Sequence, residues 1–133
     1  RALRGAAVSR YLVRRRHRVE GQRPGRLRLA ESASIAAYAE IDTSADVTIG
    51  ERVVLSEAVM LLTHDHIRDG QRGLVFSPLV IEADAFVGAR AIVLESCHVI
   101  GEAAVIGAGA VVTRDVPAGE TWAGNPARRV HSA

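Results

Sequence analysis

Several things are scarce in this chain of 133 residues, and each scarcity narrows what it can be. A single cysteine, Cys97, excludes an internal disulfide and points to a reducing, cytoplasmic compartment. Aromatics make up 4% of the residues, with one Trp, two Tyr and two Phe, so a core has to be built from Val, Ile, Leu and Ala. Such a core suits a narrow prism better than a wide globular interior. No run approaches the roughly twenty apolar residues of a membrane-spanning helix, and none reads as a secretory signal. The chain opens at Arg1 rather than Met, from which further sequence before it is expected. Lysine is absent altogether; all 17 basic side chains are arginines.

Those arginines are unevenly spread. Residues 1–28 hold ten Arg against the single Glu20, a net of +9, while the remaining 105 residues hold seven Arg against fourteen acids, a net of −7. The basic character therefore belongs to an N-terminal arm and says little about the rest. Within residues 2–16, Leu3, Ala6, Ala7 and Val13 stand near helical spacing between arginines, which predicts a short basic amphipathic helix ending before Gly21. Such a segment packs its apolar stripe on an open end of the fold, rests on an anionic membrane surface, or remains a mobile arm. Nucleic acid is disfavoured, because aromatic interleaving and any recognition motif are missing.

What is present is a rhythm of six. Ile49-Gly50-Glu51-Arg52-Val53-Val54, Val87-Gly88-Ala89-Arg90-Ala91-Ile92 and Ile106-Gly107-Ala108-Gly109-Ala110-Val111 are copies of one unit, with looser copies starting at Ile35, Ile41, Leu55, Leu61, Ile81, Val93, Ile100 and Val112. Six is neither the 3.6 of a helix nor plain alternation, so it asks for a short flat run, a corner, and another run. The leading aliphatic points inward, and the glycine or small residue after it is expected to turn the corner. Three runs close a triangular coil, and coils stack as parallel strands.

The rhythm breaks in recognisable places. Two extra residues fall near Val47-Thr48-Ile49, and Val93 to Val99 is one residue too long, which predicts a bulge. Thr63 to Ser77 (THDHIRDGQRGLVFS) has no sixfold spacing at all, and a polar excursion of that length in a compact domain is expected to be functional. The organisation expected is an arm over residues 1–28, a repeat domain over 29–133 with a loop at 63–78, and a closing segment over 117–133.

In this order, the THDH loop, the return at PLVIEADAFVGARAIV, VIGAGAVVTRDVP and AGNPARRV resemble the hexapeptide-repeat acyltransferases, in their sugar and antibiotic O-acetyltransferase branch. The resemblance implies an all-β fold, a left-handed parallel β-helix; the hand comes from the resemblance, because the general crossover rule favours the opposite one. It implies an acetyl-CoA-dependent O-acetyltransferase acting on a hydroxyl of a sugar or polysaccharide precursor, or of an antibiotic, by direct transfer and without a metal. His64 matches the family's general base, with His66 as its rival and Asp65 a weak candidate to orient either ring. His66, Arg68, Arg72 and Phe86 are implied on the acceptor side. Gly88 and Ala89 match the place of the acyl group, Gly107 and Ala108 the pantetheine arm one coil higher. Arg114, Arg128 and Arg129 match a phosphate clamp. Where galactoside acetyltransferases have Trp and Ser, this chain has Phe86 and Ala89, which leaves a backbone donor and removes a side-chain role. The family's homotrimers, with sites between prisms, imply that His64 and the Gly88–Gly107 wall come from different subunits.

Two other classes compete. A γ-type carbonic anhydrase shares the fold, but His17, His64, His66, His98 and His131 lack the paired spacing its zinc needs. A nonenzymatic scaffold, bound to a membrane through its arginine arm at the inner face, is the other. Cys97 beside His98 suggests an acyl-enzyme route only by adjacency, and a buried thiol is the better reading.

Overall fold

The structure, a computed structural model, describes residues 12–14, 25–65 and 75–130. Its strands follow the sixfold rhythm. After β1 (Leu12–Arg14), the first coil consists of β2 (Leu27–Leu29), β3 (Ser34–Ile35) and β4 (Glu40–Asp42). The second is β5 (Val47–Ile49), β6 (Val54–Leu55) and β7 (Met60–Leu61). A ribbon of β8 (His64–Asp65) and β9 (Val75–Phe76) then leaves the coil. The third coil is β10 (Leu79–Ile81), β11 (Phe86–Val87) and β12 (Ile92–Val93), and the fourth β13 (Val99–Ile100), β14 (Val105–Ile106) and β15 (Val111–Val112). β16 (Thr121–Ala123) and β17 (Arg128–Arg129) close the chain.

Hydrogen bonding sorts these strands into three walls. The first wall runs β1-β4-β7-β12-β15, the second β2-β5-β10-β13, and the third β3-β6-β11-β14-β16-β17. Every pair within the walls is parallel except the final β16–β17 pair. Three walls of stacked parallel rungs are a three-sided β-helix, of the left-handed form.

Each rung sends one branched aliphatic inward. Ile35, Leu55, Val87 and Ile106 form the column of the third wall, and Ile41, Leu61, Val93 and Val112 that of the first, all at most 1% exposed. Two residues before each stands a second inward side chain: Ala33, Val53, Ala85 and Ala104, then Ala39, Val59, Ala91 and Ala110. This second set is small, mostly alanine, because three walls converging on a narrow interior leave no room for eight more large side chains. Trp122, 7% exposed, lies above Ile106 in register and fills the last open coil.

The glycine after the leading aliphatic has a different purpose from the one expected. Counting that aliphatic as position one, positive φ falls at position four, on Tyr38, Arg52, Ala58, Asp84, Arg90, Ala103 and Gly109, and never at position two. Gly88, at position two, is instead required by close stacking: a Cβ there would lie 2.5 Å from the Ala108 backbone nitrogen. The corner is turned by residues forced into the left-handed region, and the glycines let the next coil settle directly on top.

All the irregularities sit on one edge, between the first and second walls. The two extra residues lie between β4 and β5, the ribbon leaves between β7 and β10, and the overlong coil bulges between β12 and β13. At that bulge Asp115, one coil above, accepts the His98 and Val99 N–H groups at 2.7 and 3.2 Å. On the opposite edge, between the second and third walls, successive corners are tied by a bidentate pair, Arg52 Nε and Nη2 to Asp84 at 2.7 and 3.0 Å.

The N-terminal helix is corrected where the structure describes it. Leu12–Arg14 is a strand that pairs in parallel with Glu40–Asp42. The open lower edge of the first wall offers unpaired backbone groups, and satisfying them outweighs a helical spacing that only a few residues carry. The rest of the expected helix lies outside the described residues. β2 at Leu27–Leu29 stacks beneath β5, so a repeat rung already spans the junction expected between arm and domain.

Gly88→Ala and Gly109→Ala separate the two roles of glycine. At Gly88 the added methyl meets fixed backbone, and the loss expected is about 2–4 kcal/mol. At Gly109 (φ 71°) nothing lies within 4 Å, and only the left-handed backbone costs, about 1 kcal/mol. Urea unfolding of the two variants measures both values.

Candidate active site

At the irregular edge, polar groups are buried among aliphatic columns. Asp42, Thr43, Ser44 and Thr63 are all 5% exposed or less. Asp42 ends β4, one rung below the point where the chain leaves β7 for the ribbon. Its Oδ1 accepts the Ser44 N–H at 3.0 Å and the Ser44 hydroxyl at 2.7 Å, while Oδ2 accepts the Thr63 N–H at 3.0 Å. The Thr63 hydroxyl donates to the Asp42 carbonyl at 2.8 Å and accepts from the Ala45 N–H at 3.0 Å. Burial works against the Asp42 charge, yet the donors from Thr63, Ser44 and His64 outweigh it and hold the carboxyl below the usual carboxylate range.

The fourth partner of that carboxylate is an imidazole. His64 Nδ1 stands 2.5 Å from Asp42 Oδ2, with the two side chains 10% and 1% exposed. Nδ1 facing a charged acceptor carries the hydrogen, so in the neutral ring the basic lone pair is on Nε2. The backbone is fixed as well: His64 pairs with Phe76 across the antiparallel ribbon, and the Ser77 N–H donates to the Thr63 carbonyl at 2.9 Å. The ring is thus held from the ribbon and from the coil beneath.

The partner of His64 is Asp42, 22 residues upstream, and not the adjacent Asp65. His66, Arg68 and Arg72 fall in 66–74, outside the described residues. Phe86 is 41% exposed on the outer face of the third wall, between Val54 and Val105. Gly88, Ala89, Gly107 and Ala108 lie together on the edge between the third and first walls. Ala108 and Gly109 are exposed there, and nothing lies within 4 Å of a Cβ placed at Gly109, whereas Gly107 is half-buried against Ala123. That edge is one whole wall away from His64.

Arg114, Arg128 and Arg129 gather at the C-terminal end. The Arg114 guanidinium lies 5.9 Å from the Trp122 ring centre, and Arg129 Nε lies 3.7 Å from Glu120, which also accepts the Trp122 indole N–H at 3.0 Å. Arg128 donates to the Ala127 carbonyl at 3.0 Å and is otherwise exposed. Among the described residues, no group of three or more His, Cys, Asp or Glu is arranged to hold a metal ion. Cys97 is buried, and burial together with the nearby Asp115 charge pushes its thiol up to about 12.

Residues 78–114 match the family model described as the hexapeptide repeat of succinyl-transferase. Over 57 residues, 43% of this chain, it is 49% identical to a 2,3,4,5-tetrahydropyridine-2,6-dicarboxylate N-acetyltransferase of Staphylococcus aureus, and the match spans 23% of that relative's length. A hexapeptide-repeat-containing acetyltransferase of Vibrio cholerae O1 biovar eltor, solved with acetyl coenzyme A, superposes with a TM-score of 0.74 at 28% identity over 80% of this chain and 60% of that one. A maltose O-acetyltransferase of Clostridium difficile 630 superposes at 0.66 and 26% identity, over 92% of this chain and 66% of that one.

Two outcomes check the site's chemistry. Because the Asp42 carboxyl holds a proton less readily folded than unfolded, it stabilises the fold at pH values above about 3.8, and that contribution is lost as pH falls through its lowered folded value. Asp42→Asn is therefore expected to be less stable at neutral pH and to show a shallower loss of stability below about pH 4, read from urea midpoints across pH. Cys97 is expected to resist a disulfide-exchange reagent at pH 8 in the folded protein and to react fully in guanidinium.

In its repeat and in its fold, the chain is similar to the hexapeptide-repeat acyltransferases.

Proposed function

We propose that the chain is the catalytic prism of an acetyl-CoA-dependent O-acetyltransferase whose acceptor is a hydroxyl of a sugar or polysaccharide precursor. The observation that carries this reading is the imidazole of His64 held by the buried Asp42 carboxylate. A hydroxyl is too weak an acid to ionise near neutrality, so its proton has to be removed while its oxygen attacks.

In this reading Nε2 of His64 takes the hydroxyl proton as the acceptor oxygen bonds to the thioester carbonyl carbon. The carbon–sulfur bond then breaks, and the imidazolium returns the proton to the departing thiolate, leaving an acetyl ester and free CoA. Asp42 keeps Nδ1 protonated and stabilises the transient cation. A direct route is favoured because the one thiol, Cys97, is buried and far from ionised at neutral pH.

The backbone N–H of Ala89 is the donor we assign to the thioester oxygen, because that of Gly88 is taken by the Ile106 carbonyl at 2.8 Å; Gly88 is assigned to the wall beside the acyl group, with Gly107 and Ala108 along the pantetheine arm. Arg114, Arg128 and Arg129 supply positive charge for phosphates. His66, Arg68, Arg72 and Phe86 are assigned to the acceptor side. Since one wall separates His64 from Gly88, a complete site takes two prisms, and a homotrimer is the assembly we propose. The solved relative holding acetyl coenzyme A and the maltose O-acetyltransferase support the choice of donor and acceptor class.

The test is release of CoA thiol from acetyl-CoA with a panel of sugars and nucleotide sugars. His64→Ala is expected to lower turnover by about 10²–10⁴-fold while calorimetric acetyl-CoA binding stays within about twofold. Equal turnover in the variant ends the assignment of His64 as base.

A further inference from the structure

On the edge shared by the third and first walls, the corner residues form a column whose side chains alternate in size. Tyr38, Ala58, Arg90 and Gly109 occupy the same left-handed corner position in four successive coils. They are locked in register by hydrogen bonds from Ala58 N to the Ala37 carbonyl at 3.0 Å, Arg90 N to Glu57 at 2.8 Å, and Gly109 N to Ala89 at 2.8 Å. Large, small, large and none is therefore the order up the edge.

That order makes a notch. Rungs are about 4.8 Å apart, so the Tyr38 and Arg90 corners stand about 10 Å apart with only the Ala58 methyl between. At van der Waals contact of about 3.5–4.0 Å on each side, this seats one saturated ring. Its walls are exposed and uncommitted. Tyr38 is 72% exposed, and the side chains of Tyr38, Glu57 and Arg90 make no hydrogen bond or ion pair among the described residues. The edge between the second and third walls contrasts with it: there the successive corners Arg52 and Asp84 close on each other in a bidentate pair.

The notch also stands at the height of the imidazole. His64 is anchored to Asp42 at the top of the first coil and follows the second, the level of Ala58. In the homotrimer proposed above, taken with its axis parallel to the prism, rotation preserves height, so the His64 of a second copy would face this edge at the Ala58 level. Gly88 and Ala89 lie one rung above.

We infer that the Tyr38–Ala58–Arg90 notch is the acceptor seat and that it takes a pyranose ring: the ring's C–H face rests on Tyr38, and its hydroxyls reach Glu57 and Arg90. This rests on the acetyl transfer proposed above. Only a ligand that is apolar on one face and rich in hydroxyls at its rim matches an aromatic floor flanked by a carboxylate and a guanidinium.

The test is ligand-observed NMR with methyl α-glucopyranoside, methyl α-galactopyranoside, N-acetylglucosamine and maltose, beside acetyl-CoA calorimetry. At least one sugar is expected to bind with saturation transfer concentrated on one C–H face and upfield ring-current shifts. Tyr38→Phe is expected to keep that signature, and Tyr38→Ala to lose it and weaken sugar binding about tenfold, with acetyl-CoA binding unchanged. Tyr38→Gly is expected to lose sugar binding while gaining thermal stability, since φ 65° suits glycine; a merely structural tyrosine does not give that opposition. Failure of every sugar to bind, or equal sugar affinity in Tyr38→Ala, overturns the seat. Loss of acetyl-CoA binding in the unmodified protein instead overturns the transfer reading itself.

Discussion

Backbone stacking at one fixed rung height governs this molecule. Each coil rests directly on the one below, so every residue on a wall is dictated by its neighbours above and below more than by those beside it in sequence. At Gly88 the contact is so close that no side chain fits beneath Ala108. At two of the three corners of a coil the same height is kept with a residue in the left-handed region, even on Tyr38, Arg52 and Asp84, which resist it. The repeated aliphatic columns supply the apolar burial that offsets these local costs.

A repeat this strict leaves few places for chemistry, and the chain concentrates its departures on one edge. Extra residues before β5, the ribbon after β7 and the bulge before β13 all fall between the first and second walls. Each departure frees backbone donors, and each time a carboxylate collects them. Asp115 takes the His98 and Val99 N–H groups, Asp46 the Arg26 N–H, and Asp42 those of Ser44 and Thr63. Asp42 alone of the three has His64 as a further partner. A structural remedy for broken repeats and a device for orienting an imidazole are here the same carboxylate.

The sixfold spacing made the prism legible, since inward Ile, Leu and Val recur wherever the unit begins, from Ile35 to Val112. His64 was legible because it opens the one long stretch without the rhythm. Asp42 was missed, although the signal was there: with two extra residues the coil becomes twenty long, Ile41 lies under Leu61, and the next acid lies under the root of the loop. Adjacency in sequence favoured Asp65 instead, which is poor guidance in a fold whose contacts run between rungs. The role of the glycines was misjudged for a related reason: the requirement at Gly88 comes from Ala108, twenty residues ahead. The strand at Leu12–Arg14 lay beyond reach of pattern, because what decides it is the unpaired edge of β4, a feature of the finished wall.

The separation of functions among the edges has a consequence for assembly. In one chain the imidazole and the Gly88–Gly107 edge flank the first wall from opposite sides, and a flat wall cannot bend to bring them together. In the homotrimer we propose, a groove between two prisms would join the irregular edge of one to the edge between the third and first walls of the other at equal height. On that proposal the edge between the third and first walls would carry what must lie still against a straight surface, the long coenzyme arm and the acceptor ring. The irregular edge carries what must project, a single imidazole at the root of a ribbon. Regularity and its interruption are thus divided between two edges of one repeat, which the proposed second copy of the chain would reunite.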